Sequence, residues 1–177
     1  MTSGRRVVFL DRDGVLTVPD EREGKGYAVR TLEALRFYPD ATSSVARLRA
    51  AGFDVVVVTN QPDVAHGLID TGTVEAIHAQ VTEVTGVTRI RTCPHSRTDD
   101  CGCRKPRAGL LMDEADAEPV DFAASWMVGD RDSDVEAGRA VGARTVFIDR
   151  GWTDETGEGA HAMVATLGEA VDTILSP

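Results

Sequence analysis

Short apolar runs alternate with stretches of helical periodicity along most of the chain. Continuous apolar runs closed by Gly, Asp or Asn predict buried strands, and apolar residues three and four positions apart predict one face of a helix. The predicted strands are Arg5 to Leu10, Phe53 to Val58, Val87 to Thr92, Ala123 to Val128, Thr145 to Ile148 and an edge strand at Met163 to Ala165. The predicted helices run from Pro39 to Gly52, Thr73 to Thr85, Pro106 past Ala115, Ser133 to Val141 and Leu167 to Leu175.

This alternation predicts an α/β fold, a three-layer Rossmann-like parallel sheet with helices on both faces. We expect one domain over residues 1–177, without a large cap domain. The polar segment from Thr17 to Tyr38 lacks a sustained period, which is typical of a loop or a short β-hairpin over the mouth of a site.

Composition narrows the possible partners. Of 177 residues, 42% are hydrophobic and 27% charged, as in ordinary globular domains, and the net charge is -10. This negative charge disfavours a nucleic-acid partner. It would also repel a phosphorylated substrate, which would need a metal ion to screen the site. No stretch approaches the ~18 apolar residues of a membrane span, and only four apolar residues precede Asp11, too few for a signal peptide. We therefore expect a cytoplasmic protein without a membrane partner, and a monomer.

Four polar clusters follow predicted strands or begin a helix. They are Asp11 with Asp13, Thr59 with Asn60, Arg104 with Lys105, and Asp130 with Asp134. Because parallel strands end at the same edge of a sheet, the clusters are expected to converge there. Together they offer carboxylates for a cation, a hydroxyl and an amide for oxyanion hydrogen bonds, and an ammonium, which is the equipment of phosphoryl transfer.

Each cluster also has a purely structural interpretation. Asp-Gly and Thr-Asn pairs are ordinary turn residues. Asp130 and Asp134 suit the start of a helix, and most lysines are solvated surface residues, as Lys105 would then be. Their joint occurrence at successive strand ends favours the chemical interpretation.

A second constellation, Cys93-Pro94-His95 followed by Cys101-Gly102-Cys103, holds all three cysteines of the chain. Three thiolates and one imidazole form a closed tetrahedral set, which suits a structural Zn²⁺. The odd cysteine count and a reducing cytosol disfavour a disulfide, and the C-x-C spacing differs from the usual redox C-x-x-C. The zinc loop, residues 93–103, directly precedes Arg104 and Lys105, so we expect the metal to stiffen that segment.

The stretches FLDRDGVL, VVTNQ, CRKPRAGLL and MVGDRDSDVEAG resemble, in this order, the four motifs of the haloacid dehalogenase superfamily of phosphatases. Within it the chain is similar to the small branch of heptose bisphosphate and histidinol-phosphate phosphatases, of which a C-x-H…C-x-C zinc loop is also typical.

The resemblance implies that Asp11 is a nucleophile forming an aspartyl-phosphate and that Asp13 is the acid and base. It implies Mg²⁺ held by Asp11, the backbone carbonyl of Asp13, and Asp130. The resemblance also implies that Thr59 and Lys105 bind the phosphoryl oxygens, with Asn60 beside them. It implies that Asp134 orients either Lys105 or the waters bound to the metal.

The substrate is less well determined. The segment NQPDVAHG is similar to the N-Q-x-x-x-A-R-G stretch of heptose phosphatases, but His66 replaces the usual Arg and cannot fully reproduce its grip on a phosphate or sugar hydroxyl. The short spacer between His95 and Cys101 instead matches the histidinol-phosphate branch. We expect selectivity from the zinc loop, the Thr17 to Tyr38 segment, and Arg104 or Arg107. The predicted substrate is D-glycero-D-manno-heptose 1,7-bisphosphate at its 7-position, with histidinol phosphate as the alternative.

Two functions of another class remain as alternatives. A phospho-acceptor switch of the receiver type also uses an acceptor Asp, a Thr, a Lys and Mg²⁺, but its acceptor lies on a later strand and it has no zinc loop. A catalytically silent zinc-binding domain has little reason to keep Asp11, Asp13, Asp130 and Lys105 together. His78 and His161 have no partners in sequence and are expected at a helix surface or in a loop.

Overall fold

The computed structural model describes residues 4–177. Its strands are β1 (Val7–Leu10), β2 (Asp20–Arg22), β3 (Lys25–Tyr27), β4 (Asp54–Asn60), β5 (Arg89–Cys93), β6 (Trp126–Gly129), β7 (Arg144–Ile148) and β8 (Ala162–Val164). Its helices are α1 (Ala41–Ala50), α2 (Thr71–Thr85), α3 (Gly109–Ala117), α4 (Asp132–Ala140) and α5 (Leu167–Leu175), with a 3₁₀ helix at Phe122–Ala124. Among these described residues, no helix has the length and apolarity to cross a bilayer.

Six strands form one parallel sheet in the order β5-β4-β1-β6-β7-β8. From β1 the chain builds outward to β4 and β5, and it then returns to β6 on the other side of β1. The strand order therefore reverses at β1, and open α/β sheets bind ligands outside the carboxyl ends of the strands at such a point. The predicted parallel sheet is confirmed.

Helices cover both faces of the sheet because the buried side chains of β1 alternate between them. Val8 and Leu10 belong to an apolar cluster with residues of α1 and α5, whereas Val7 and Phe9 belong to a second cluster with residues of α3 and α4. All four side chains are fully buried, and burial of each contributes about 1.5–3 kcal/mol. This packing confirms the three layers and holds the end of β1 rigidly.

The segment between β1 and α1 contains an antiparallel hairpin of β2 and β3, in which Asp20 pairs with Tyr27. Its two turn residues, Glu23 and Gly24, have φ values of 51° and 73°. Positive φ at both positions matches the two-residue turns that fit the twist of a hairpin. Of the two predicted possibilities for this segment, loop or short hairpin, the structure shows the hairpin.

Several element boundaries differ from the sequence prediction. The strand predicted from Ala123 begins at Trp126, because Phe122–Ala124 form a 3₁₀ helix. Two further differences lie at the site. Helix α3 begins at Gly109 rather than Pro106, because residues 104–107 form a turn in which the Arg107 N–H donates to the Arg104 carbonyl at 2.9 Å. Pro106 follows Lys105 through a cis peptide bond. Strand β4 continues through Thr59 and Asn60, so these residues end the strand instead of forming a loop beyond it.

Candidate active site

A cavity of ≈ 820 Å³ opens at the carboxyl ends of the central strands. Its walls include the β2–β3 hairpin, the zinc loop and the first turn of α4. Eight of the predicted site residues line this cavity: Asp11, Asp13, Asn60, Cys101, Arg104, Lys105, Asp130 and Asp134. Thr59 is not among the residues that line it. The expected convergence of strand-end residues on one rim of the sheet is therefore present.

Three buried carboxylates lie together at the floor of the cavity, and two of them contact one ammonium group. Oxygens of Asp11, Asp130 and Asp134 lie within 4.8 Å of one another. The Lys105 Nζ lies 3.0 Å from Asp11 Oδ1 and 2.6 Å from Asp134 Oδ1, and it donates to the Val58 carbonyl at 2.7 Å. The floor thus carries more negative than positive charge.

Burial raises the pKa of Asp11 to about 6, although the Lys105 ammonium opposes the rise. Burial, and next the charges of Asp11 and Asp134, raise the pKa of Asp130 well above its usual range. Burial alone would lower the pKa of Lys105, but Asp11 and Asp134 outweigh it and raise that pKa. Crowded, dehydrated carboxylates of this kind are suited to a second cation, and oxygen ligands are those that Mg²⁺ prefers. Asp130 Oδ1 fits such an ion because, within residues 4–177, it is buried without a hydrogen-bond partner.

Asp13 is held by three neighbours. The Arg12 guanidinium donates to Oδ2 and Oδ1 of Asp13 at 3.1 Å each, Gln61 Nε2 donates to Oδ2 at 2.9 Å, and Thr17 Oγ1 donates to Oδ1 at 3.2 Å. Arg12 is fully buried and Gln61 nearly so. Sequence reasoning missed both as site residues, although they stand inside the stretches FLDRDGVL and VVTNQ.

Asn60 acts on the backbone of Lys105. Its Nδ2 donates to the Lys105 carbonyl at 3.1 Å, and its Oδ1 accepts from the Lys105 N–H at 3.1 Å. This pair of bonds joins the end of β4 to the segment after the zinc loop. Thr59 lies fully buried beneath, where its hydroxyl accepts from Gln61 Nε2 at 2.9 Å.

The carboxylates at the end of β6 are held by close packing. Gly14 has a φ of +88°, and a Cβ added there would lie 1.9 Å from Asp130 Oδ2. Trp152 Nε1 donates to the same oxygen at 2.5 Å. Asp134 Oδ2 accepts from the Arg131 N–H at 3.1 Å, which closes the first turn of α4. Sequence reasoning missed Trp152, whose signal was its place just after the Asp-Arg-Gly end of a predicted strand.

The four residues of the zinc loop come together as predicted. Their ligand atoms lie within 4.8 Å of one another, and the thiols of Cys93, Cys101 and Cys103 form no disulfide. The Cys93 sulfur lies 3.8 Å from that of Cys101 and 3.0 Å from that of Cys103, and Zn–S bonds of 2.3 Å in a tetrahedron separate the sulfurs by about 3.8 Å. His95 Nδ1 lies 3.2 Å from the Cys103 sulfur. Burial, followed by a hydrogen bond with Cys103, raises the pKa of Cys93 to about 12 and so favours the protonated thiol. A bound cation would favour the thiolate instead.

His66 and His78 have surroundings that differ from those expected from the sequence. His66 is exposed in the turn after β4, with its N–H donating to the Pro62 carbonyl at 3.2 Å, and it is not among the residues that line the cavity. His78 lies on a helix, α2, as expected, but it is half-buried there, with Nε2 3.2 Å from Arg12 Nη1. Burial, followed by the Arg12 charge, lowers the pKa of His78 to about 4. His161 lies exposed in the loop before β8, as expected, and its Nδ1 accepts from the Thr145 N–H at 3.0 Å.

Comparison with known proteins decides the family. A family model described as HAD-hydrolase-like matches residues 102–170. The chain is 36% identical over 170 residues to the D-glycero-beta-D-manno-heptose-1,7-bisphosphate 7-phosphatase of Pseudomonas aeruginosa, covering 93% of this chain and 89% of that relative. The chain belongs to the haloacid dehalogenase-like phosphatases. Membership makes it a phosphoric monoester hydrolase and confirms the resemblance drawn from the four motifs.

Structural comparison agrees with this membership. A crystal structure of D,D-heptose 1,7-bisphosphate phosphatase from B. bronchiseptica, complexed with magnesium and phosphate, superposes with a TM-score of 0.80 at 30% identity, covering 96% of this chain and 98% of the other. The chain is also 37% identical over 145 residues to a D-glycero-alpha-D-manno-heptose-1,7-bisphosphate 7-phosphatase of Mycobacterium tuberculosis, covering 77% and 73%. The histidine biosynthesis bifunctional protein HisB of Campylobacter jejuni is 30% identical over 145 residues, but the chain covers only 40% of it.

Proposed function

We propose that this phosphatase removes the 7-phosphate of a D-glycero-D-manno-heptose 1,7-bisphosphate in a Mg²⁺-dependent reaction through an aspartyl-phosphate. The observation that carries the proposal is the cluster of three buried carboxylates, two of them paired with Lys105, at the point where the strand order reverses. The relatives at 36–37% identity, which are heptose 1,7-bisphosphate 7-phosphatases, supply the substrate class.

Asp11 is the nucleophile in this proposal. Its carboxylate ends β1, where rigid packing on both sides fixes its direction, and its Oδ1 accepts from the Arg12 N–H at 2.8 Å and lies 3.0 Å from the Lys105 Nζ. One oxygen is thereby held while the other is left for attack on phosphorus. Lys105, itself held by Asp134, lines the cavity and contacts the transferring phosphoryl oxygens in this proposal. Thr59 stays a candidate contact for the same oxygens, although its buried hydroxyl lies beneath the cavity and accepts from Gln61.

Asp13 gives a proton to the leaving sugar oxygen and then takes one from the hydrolytic water. It lines the cavity, with 14% of its side chain exposed, so a substrate oxygen can reach it. Arg12 and Gln61 hold its carboxylate in place from below. Asn60 holds the backbone of Lys105 and so fixes the position from which its ammonium group reaches the carboxylates.

Mg²⁺ would be held by Asp11, Asp130 and the backbone carbonyl of Asp13, and when bound it screens the phosphoryl charge. The acidic floor makes such screening necessary, because a phosphate dianion would otherwise be repelled. Structural Zn²⁺ would be held by Cys93, His95, Cys101 and Cys103 as a closed site without an open position. It would stiffen the loop that leads into Lys105.

Arginines at the zinc-loop end of the cavity suit the second phosphate of a bisphosphate. Arg97, Arg104 and Arg107 line this end, and Arg104 Nη1 donates to the His95 carbonyl at 3.3 Å. A guanidinium fork binds a phosphate in two places. We assign the 1-phosphate to this end and keep His66 as a secondary candidate that reaches substrate only if its turn moves.

Phosphate release tests the proposal. Zinc-loaded protein with Mg²⁺ is offered both anomers of the heptose bisphosphate, the heptose 7-monophosphate and histidinol phosphate. We expect release from a heptose bisphosphate and none from the Asp11→Asn variant. Faster turnover of histidinol phosphate would reassign the substrate to that branch, and turnover of none of the four would contradict the proposal.

The assignment of the 1-phosphate has its own control. Arg104→Met is expected to lower kcat/KM for the bisphosphate about 10- to 100-fold, since a charged contact contributes about 1.5–3 kcal/mol. The same variant should change kcat/KM for the 7-monophosphate little. His66→Ala should lower kcat/KM for either substrate less than Arg104→Met does. Equal loss on both substrates would contradict the assignment.

We further infer that the chain works as a single domain and a monomer. Its expected mass in solution is therefore 19.0 kDa. Light scattering coupled to size-exclusion chromatography tests this, and a multiple of that mass would contradict it.

A further inference from the structure

Trp152 contacts a carboxylate of the site, although none of the four motifs includes it. It follows Gly151 in the segment after β7 and lines the cavity. Its Nε1 donates to Asp130 Oδ2 at 2.5 Å. An indole has one N–H and no acceptor, so this bond uses the whole hydrogen-bonding capacity of the ring.

The two oxygens of Asp130 therefore have different surroundings. Oδ2 receives the indole N–H and packs against Gly14, where an added Cβ would come within 1.9 Å of it. Oδ1 is buried and, within residues 4–177, has no hydrogen-bond partner. A carboxylate fixed through one oxygen presents the other in a single direction. Hydrogen bonds of this kind, made by groups outside the ligand set, orient metal ligands in proteins.

The same ring supports the β2–β3 hairpin. Gly26 of β3 lies against the indole so closely that an added Cβ would be 2.9 Å from Cζ2 of Trp152. The next residue, Thr153, donates its N–H to the Gly24 carbonyl at 3.0 Å in the hairpin turn. Gly26 and Asp130 thus contact neighbouring atoms of one indole ring, and the hairpin turn also accepts a hydrogen bond from the next residue, Thr153.

We propose that Trp152 is a positioning residue that holds Asp130 as a one-oxygen metal ligand and links that carboxylate to the β2–β3 hairpin. The inference rests on the magnesium site of the proposed function. Trp152 acts through Asp130, so loss of the indole N–H weakens Mg²⁺ binding and leaves the chemical step in place once the ion is bound.

The test measures Mg²⁺ binding to the zinc-loaded full chain by calorimetry, with Trp152→Phe as the variant. Phe keeps an aromatic ring against Gly26 and removes the N–H. The Kd for Mg²⁺ is expected to rise about tenfold or more, the usual effect of losing such a bond. The kcat at saturating Mg²⁺ is retained. A Trp152→Phe variant with the wild-type Kd, in a protein that binds Mg²⁺ normally, would overturn the role of Trp152 alone.

Trp126→Phe is the matched control, because it removes the other tryptophan of the chain. Trp126 begins β6, at the opposite end of the strand from Asp130, and packs against the Arg144 guanidinium at 5.3 Å. Its Mg²⁺ Kd should match that of the wild type. A wild-type protein that binds no Mg²⁺ at all would overturn the magnesium site of the proposed function, and with it this inference.

Gly26→Ala tests the link to the hairpin from the other side. The nearest neighbours of the added methyl group would be the Trp152 ring and the Pro19 side chain. We expect Gly26→Ala to raise the Mg²⁺ Kd of the wild-type protein. In the Trp152→Phe background it should raise the Kd little further, because the effects of two residues that act through one contact are not additive. Additive effects in the double variant, or a wild-type Kd in Gly26→Ala, would overturn the link.

Discussion

Lys105 is the one ammonium in contact with the buried carboxylates among the described residues, and its removal gives the sharpest stability prediction. At an effective dielectric constant of ~20, opposite charges 3.0 Å apart attract by roughly 5–6 kcal/mol, and dehydration of the ammonium offsets part of this attraction. Removing one partner of a buried ion pair has a net effect of about 3–5 kcal/mol, because the other charges stay buried without compensation. Lys105→Met should lower the free energy of unfolding in Mg²⁺-free buffer by that amount.

Urea unfolding of the zinc-loaded protein, with and without Mg²⁺, measures this effect. Mg²⁺ should stabilise Lys105→Met more than the wild type, because the variant site carries one positive charge less. Turnover should fall by about 10²–10³ even with saturating Mg²⁺, as when one oxyanion donor is lost. Lys25→Met is the control, since Lys25 pairs with Asp154 on the surface at 2.6 Å and its loss should change stability little. Wild-type stability of Lys105→Met without Mg²⁺ would refute the reasoning.

Three further predictions concern other parts of the molecule. Glu114→Gln should lower the free energy of unfolding at pH 7 by about 2–3 kcal/mol in urea titration, since the fully buried Glu114 carboxylate pairs with three arginines that remain partly solvated. Gly14→Ala should weaken Mg²⁺ binding in calorimetry and destabilise the fold by about 1–3 kcal/mol, because of its positive φ and the clash with Asp130. Cys103→Ser should reduce zinc to below half an equivalent by elemental analysis and lower Tm; a full equivalent would contradict the four-ligand site.

The wild-type protein also has a pH dependence at Glu114. Burial raises the pKa of Glu114, but its hydrogen bonds with Arg91, Arg5 and Arg89 outweigh this and leave the pKa below its usual value. A carboxyl whose pKa is lowered in the folded state stabilises the fold above its unfolded pKa, and this stability is lost as pH falls through the folded pKa. The wild type should therefore lose more stability than Glu114→Gln between neutral and acid pH.

The strand-end residues were predictable because the sheet is parallel. Four valines in β4 and the apolar run before Asp11 mark strands buried on both faces, and parallel strands end at one edge. The convergence of Asp11, Asn60 and Asp130 follows from this rule, whereas Lys105 reaches the same edge through the loop that follows β5. The cluster of Cys93, His95, Cys101 and Cys103 was predictable because the four residues lie close together in one loop.

Contacts between loops were not predictable in the same way. Trp152 reaches Asp130 only because the segment after β7 folds back over the sheet edge, and nothing periodic in the sequence records that path. The start of α3 was misplaced because Pro at a first helical turn is the local preference, whereas the zinc loop packs so closely that Gly109 touches the Gly102 carbonyl. His78 was missed because its partner, Arg12, is distant in sequence.

The most direct test of the central claim is to find the phosphoryl group on Asp11. Asp13→Asn should accumulate the aspartyl-phosphate from p-nitrophenyl phosphate and Mg²⁺, because that leaving group needs no acid while hydrolysis of the intermediate lacks its base. Acid quenching and borohydride reduction convert an aspartyl-phosphate to homoserine, which peptide mass spectrometry locates. We predict homoserine at position 11 in Asp13→Asn and none in the Asp11→Asn/Asp13→Asn double variant. Phosphate transfer by Asp13→Asn without modification of residue 11 would contradict the mechanism.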